Sequence, residues 1–254
     1  MTIASDAERE KLIEGGRRLR AVLVALGKKV APGVSSEELD DLAEHLIREG
    51  GDTPSLIGYS PDGAVRPFPA TLCVSINDEV VHGIPNEHPK TLKEGDIVGL
   101  DLVLTHEGMV VDAAITVQVG HVDGDATRLL RATQEALYAG IEAARPGAHM
   151  GDIGHAIQQV IERAGLSVVK DLGGHGVGGS VHEEPFVPNY GRAGTGMKLV
   201  PGMVLALEPI AALGKGAVTL APDGYTYRTK DGSRSAHFEH TILIEIGGAL
   251  VVTK

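Results

Sequence analysis

Four acidic residues stand in settings that ordinarily reject charge: Val-Gly-Leu-Asp101-Leu-Val, Val-Val-Asp112-Ala-Ala, Leu-Ala-Leu-Glu208-Pro-Ile and His-Phe-Glu239-His-Thr-Ile. A carboxylate inside a buried strand costs several kcal/mol unless it is paired or bound to a cation. No comparable set of Lys or Arg lies in the same segments. Two divalent cations would offset four negative charges, so the four together point to metal binding. A fifth candidate ligand, His175, lies in Gly173-Gly-His175-Gly-Val-Gly-Gly179. Glycines on both sides let the backbone pass close to an ion and bring the imidazole forward. The spacing fits neither the dinucleotide fingerprint nor a phosphate-binding P-loop, and no Lys-Ser/Thr follows. One imidazole with four carboxylates suits Mn, Fe, Co or Zn rather than a thiolate-rich structural zinc.

The elements that must position these residues come in two related sets. Residues 6–28 read as a helix with an apolar stripe of Leu12, Leu19, Leu23 and Leu26, stopping at Gly27. After Pro32-Gly33, Ser35 or Ser36 caps a second helix facing inward through Leu39, Leu42, Leu46 and Ile47, ending at Gly50-Gly51. Residues 126–145 repeat the first helix and Pro146-Gly147 the break, and Ile153, Ala156, Val160 and Ile161 repeat the second helix in register. Leu92 to Asp101 lies over Leu199 to Glu208 without a gap, and Asp112 to Gly120 over Glu239 to Gly247, with the period-two alternation of strands. Val81-His82-x-x-Pro85 likewise lies over Val181-His182-x-x-Pro185. The expected architecture is a duplicated unit, two helices followed by antiparallel strands, about an approximate two-fold axis. Asp101 then superimposes on Glu208 and Asp112 on Glu239, two strand carboxylates from each half, while His175 breaks the symmetry. The two metals are therefore expected to have unequal shells, the one touching His175 binding more tightly.

Bulk composition agrees with a metallo-site in an ordinary globular chain. The 254 residues are 43% hydrophobic and 22% charged, with 3% aromatics, so the core must be aliphatic. That length fits one large domain. A net charge of −11 opposes binding to nucleic acid or anionic membrane and favours a cationic ligand, a metal ion or a substrate ammonium group. The single Cys73 suits a reducing compartment; no basic n-region with an apolar stretch opens the chain and no run of about 18 apolar residues occurs, so a cytoplasmic protein is expected.

The strings Asn77-Asp-Glu-Val-Val-His82-Gly-Ile-Pro85, Gly174-His-Gly-Val-Gly178 with Val181-His-Glu-Glu-Pro185, Leu207-Glu-Pro209 and Glu239-His-Thr241 resemble methionine aminopeptidase of type I, in that family's order and across nearly the whole chain. The absence of a long insertion between His182 and Glu208 separates it from type II. The resemblance implies the α+β pita-bread (creatinase/aminopeptidase-like) fold, helices outside a curved antiparallel sheet. It implies a single catalytic domain over 1–254 with halves of roughly 1–122 and 123–254. By the same resemblance Asp112 and Glu239 bridge two divalent metals, Asp101 completes one shell, and His175 with Glu208 completes the other. The implied reaction removes N-terminal methionine before a small second residue, with a metal-bridging hydroxide attacking the first peptide bond. Glu208 carries the proton, and His82 and His182 hold the scissile amide and its oxyanion. The implied methionine pocket uses Cys73, Phe68 and Tyr225 with Val65 and Val181 at its edges, Cys73 being either pocket wall or small core residue. The implied partners are nascent polypeptide N-termini, at the ribosome, for a monomer that binds neither nucleic acid nor membrane.

Three departures from the family pattern stand out. Val65 and Val181 replace residues more often aromatic. His237 replaces a familiar Gln two residues before Glu239, and either tunes that carboxylate or faces solvent. Ala113-Ala-Ile-Thr116 is poorer in Ser and Thr than usual. Two rivals share the fold: a prolidase or aminopeptidase P, and a non-catalytic RNA- or protein-binding relative.

Overall fold

In a computed structural model, which describes residues 2–61 and 63–254, each half opens with a helix pair. The pairs are α1 (Asp6–Lys29) with α2 (Ser36–Glu49), and α3 (Gly124–Ala143) with α4 (Met150–Arg163). Ser35 starts α2 through a reciprocal capping box, its Oγ accepting from the Glu38 amide at 3.1 Å while the Glu38 carboxylate accepts the Ser35 amide at 2.8 Å. Asp123 caps α3 by accepting the Ala126 amide at 2.8 Å. The first helix does not stop at Gly27. Gly27 lies over Ile115 and Val117 with room for a Cβ at ordinary contact distance, and α1 runs on past it to Lys29. In α4, Ile157 rather than Ala156 is fully buried, with Ile153 and Ile161; Ala156 and Val160 are only half-buried.

The first half supplies β1 (Thr53–Pro54), β2 (Leu72–Ile76), β3 (Glu79–Val81), β4 (Ile97–His106) and β5 (Met109–Gln118). The second supplies β6 (Ser167–Val168), β7 (Gly173–Gly176), β8 (Glu183–Pro188), β9 (Val204–Leu207), β10 (Ile210–Ala212), β11 (Val218–Leu220), β12 (Tyr227–Thr229), β13 (Ser235–His237), β14 (His240–Glu245) and β15 (Gly248–Val251). The halves repeat one antiparallel order: β2 pairs β4 and β4 pairs β5, as β7 pairs β9 and β9 pairs β14. Ser75 faces Gly99, two residues before Asp101, as His175 faces Ala206, two residues before Glu208. The helices cover one side of this curved layer and bury an aliphatic core beneath them.

The halves meet along β5 and the segment 237–241. Ala114 and Glu239 exchange backbone hydrogen bonds, the Glu239 amide donating at 2.9 Å and the Ala114 amide at 3.4 Å. Beside that pair, threonine hydroxyls take over the ladder. Thr241 Oγ1 accepts the Asp112 amide at 2.9 Å and donates to its carbonyl at 2.7 Å. Thr116 Oγ1 accepts the His237 amide at 3.0 Å and donates to its carbonyl at 2.6 Å.

One buried acid outside this seam ties helix to strand. Asp40 of α2 accepts the amides of Thr71 and Leu72, each at 2.9 Å. Burial outweighs those bonds and pushes its carboxyl from 3.8 to about 6. Between those values the folded protein binds the proton more tightly than the unfolded chain. This contribution to stability is therefore complete below about 4 and lost as pH rises through about 6. Its slope is at most about 1.4 kcal/mol per pH unit. Urea unfolding of the wild type and Asp40→Asn at several pH values should show the stability difference between them shrinking as pH rises from about 4 to about 6; parallel curves would contradict it.

Candidate metal centre

The four carboxylates reach one place by different local means. Asp101 lies within β4 opposite Ala114, and Asp112 within β5 opposite Val103, so the two occupy one face two residues apart along the hairpin. Glu208 and Glu239 are not strand residues, contrary to what the repeat implies. Glu208 sits in the break between β9 and β10, before Pro209, which has no amide to give a ladder. Glu239 sits in the break between β13 and β14.

His175 stands in β7, the middle strand between β8 and β9. Its flanking glycines serve the neighbouring strands: a Cβ at Gly174 would crowd the Ala206 carbonyl and Val187, and one at Gly176 the Glu184 carbonyl. His175 Nδ1 lies 2.9 Å from the Gly176 carbonyl, which assigns the proton to Nδ1 and leaves Nε2 as a lone-pair donor. That Nε2 is 3.6 Å from Glu208 Oε1 and 3.8 Å from Asp112 Oδ2. Donor atoms of Asp112, His175 and Glu239 lie within 4.8 Å of one another.

The electrostatics are those of a crowded, desolvated acid cluster. Burial and then neighbouring carboxylates hold Asp112, Glu208 and Glu239 far above the usual carboxylate range. Burial raises Asp101 to about 7 against hydrogen bonding with Cys73 and Asp112. Burial and neighbouring imidazoles depress His175 and His237 to about 3. Asp112 Oδ1, Glu239 Oε1 and His237 Nε2 are buried without a hydrogen-bond partner. Unsatisfied buried polar atoms are rare; of the five among the described residues, Thr71 Oγ1 and Asn86 Oδ1 lie elsewhere and these three share one cluster of hard oxygen and imidazole donors, which a divalent cation would satisfy.

The remaining predicted residues surround this centre. The His182 ring packs edge-on to that of His175, with centroids 4.4 Å apart. Its Nδ1 is 2.8 Å from the Tyr59 hydroxyl. His82 follows β3 with φ 58° and packs edge-on to Tyr227 at 6.1 Å; burial and then His182 lower it to about 4. Cys73, on β2 opposite Asp101, joins Phe68, Val181 and Tyr225 in one buried apolar cluster. Phe68 and Tyr225 meet edge-to-face at 5.1 Å, and the Tyr225 hydroxyl donates to the Arg66 carbonyl. Val65 is not brought into this cluster: it is 83% exposed and lies over Gly224.

The sequence leaves one residue undecided and hides another. His237 does not face solvent; it is 4% exposed, with Nε2 3.5 Å from Glu208 Oε2 and 3.8 Å from Glu239 Oε2. Its separation of two from Glu239, in a segment with strand alternation, carries that signal. Tyr59 carries no such signal, since its partner His182 is 123 residues away.

The model of metallopeptidase family M24 matches residues 10–245. A methionine aminopeptidase of Aquifex aeolicus is 42% identical over 252 residues, covering 98% of this chain and 97% of its own. The crystal structure of a methionine aminopeptidase from Thermotoga maritima superposes with a TM-score of 0.94 at 40% identity, each chain covering 100% of the other. An Xaa-Pro dipeptidase of Bacillus anthracis has a TM-score of 0.76 at 23% identity, with this chain spanning 62% of it, a likeness of fold alone.

Proposed function

This chain belongs to metallopeptidase family M24, among its methionine aminopeptidases, and we propose that it removes the N-terminal methionine from nascent proteins and peptides, with a small second residue preferred. It is a hydrolase of the α+β pita-bread fold. One observation above others supports the reading: Asp112, His175 and Glu239 offer donor atoms within 4.8 Å of one another, Glu208 lies beside His175, and buried Asp112 Oδ1 and Glu239 Oε1 have no partner. Residues 1–254 act as a single catalytic domain, because halves 1–122 and 123–254 each hold only part of the donor set.

The donors fit two divalent cations of the Mn, Fe, Co or Zn class, with Asp112 and Glu239 shared, Asp101 completing one set and His175 with Glu208 the other. When bound, such cations supply an acidified water and neutralise charge on the peptide carbonyl. The side chains do the rest. Glu208 carries the proton towards the leaving amine at its carboxylate oxygens. His182, anchored through Nδ1 by Tyr59, leaves Nε2 for the carbonyl oxygen and its developing oxyanion, and His82 meets the scissile amide as a neutral imidazole. Phe68, Cys73, Val181 and Tyr225 form an apolar wall for an unbranched thioether. Cys73 is no nucleophile, since burial raises its thiol well above the ordinary range.

The net charge of −11 supports a protein substrate over nucleic acid. Among the described residues no helix is long and apolar enough to cross a membrane. We place the enzyme in the cytoplasm as a monomer meeting chains as they leave the ribosome.

A peptide panel with Mn- or Co-loaded protein tests the assignment. Met-Ala-Ser should be cleaved at least about a hundredfold more efficiently than Xaa-Pro peptides, with activity lost to a chelator. Cleavage of Xaa-Pro with Met-Ala-Ser left intact would instead establish a prolidase. Tight RNA or protein binding without hydrolysis would establish the non-catalytic reading.

A further inference from the structure

We propose that His237 is a further metal donor, adding a second imidazole to the centre through Nε2, on the cation held between Glu208 and Glu239. The inference rests on the metal-centre reading above and deepens it.

The geometry excludes the two ordinary roles for a buried histidine. His237 is 4% exposed and its Nε2 has no hydrogen-bond partner, so it is not a satisfied core residue. Its distances of 3.5 Å to Glu208 Oε2 and 3.8 Å to Glu239 Oε2 exceed the roughly 2.7–3.2 Å of a hydrogen bond. They suit two donors on one ion, since bonds of about 2.1 Å place such donors up to about 4.2 Å apart. His175 shows the same spacing, 3.6 Å to Glu208 Oε1 and 3.8 Å to Asp112 Oδ2. The two imidazoles thus flank the two oxygens of one carboxylate, Glu208.

The backbone gives a second, independent indication. Thr241 grips both the amide and the carbonyl of Asp112, and Thr116 grips both groups of His237 in the same way. The clamp holds the His237 main chain, so the ring is fixed beside Glu208 and Glu239. Donor sets must be held to within a fraction of an ångström, and this clamp provides that rigidity.

Cadmium-113 NMR of protein loaded with cadmium as the probe ion counts directly bonded imidazoles through scalar coupling to their ring protons. Two histidines should correlate with cadmium in the wild type, and one in His237→Gln, the survivor being lost in His175→Gln. A single correlated histidine in the wild type, unchanged by His237→Gln, would overturn the proposal and leave the metal centre standing. No correlated histidine at all would overturn the metal centre itself. The wild-type count decides the matter even where a variant fails to fold. In His237→Gln, cadmium affinity should also fall by about 10- to 100-fold, read by calorimetry.

Discussion

Asp112→Ala and Glu239→Ala should each lower kcat/KM on Met-Ala-Ser by on the order of a thousandfold or more, with fewer than two ions bound per chain. Each side chain has one buried oxygen without a protein partner, so no other residue stands ready to take over its charge. The backbone at both positions is held by bonds that survive truncation, Thr241 at Asp112 and Ala114 at Glu239. Lost activity would therefore report lost donors rather than a lost fold. A second readout has the opposite sign. Each substitution removes a buried acid that repels its neighbours, so the chelated variants should unfold at higher temperature than the chelated wild type. Near-normal turnover in either variant would refute a two-cation centre.

His82→Ala should leave the bound metal unchanged and lower kcat by roughly a hundred- to ten-thousandfold, with a smaller change in KM. The His82 ring packs edge-on to Tyr227, and burial keeps its imidazole neutral. A neutral ring donates one hydrogen bond without adding charge to the site. Stabilisation of this kind is felt mainly in the transition state, hence the effect on kcat. Metal analysis beside steady-state kinetics checks the assignment. Loss of metal from the variant would show that His82 belongs to the donor set instead.

The parts of this site that can be read from the chain are those governed by local period. Asp101 and Asp112 stand out because a charge interrupts an alternating apolar strand, whereas His237 reads equally as a neighbour of Glu239 or as a solvent-facing residue. The helix pairs are legible through their stripes and caps, whereas the fate of Gly27 is not. Glycine ends many helices, and nothing local shows that this one lies inside a helix that continues to Lys29. Contacts between distant segments leave no trace. The threonine clamps join positions 121 to 129 residues apart, and a Thr in a strand looks the same with or without such a partner. Tyr59 is hidden for the same reason. The breaks that carry Glu208 and Glu239 read as continuous strand because Pro209 is the only local mark of interruption.

The strand register of the two halves bears on how such a centre could arise. His175 corresponds to Ser75 in the first half, and the position two before Asp112, matching His237 two before Glu239, is Val110. Both imidazoles therefore come from the C-terminal half, while the acids are shared evenly. An ancestral homodimer of one such half would have presented its two ions with identical surroundings, because its symmetry axis would exchange them. Fusing the two copies into one gene removes that constraint: a histidine gained by one copy is no longer imposed on the other. Tandem fusion of such copies would open a route by which two chemically equivalent ions could become unequal through single substitutions in one copy.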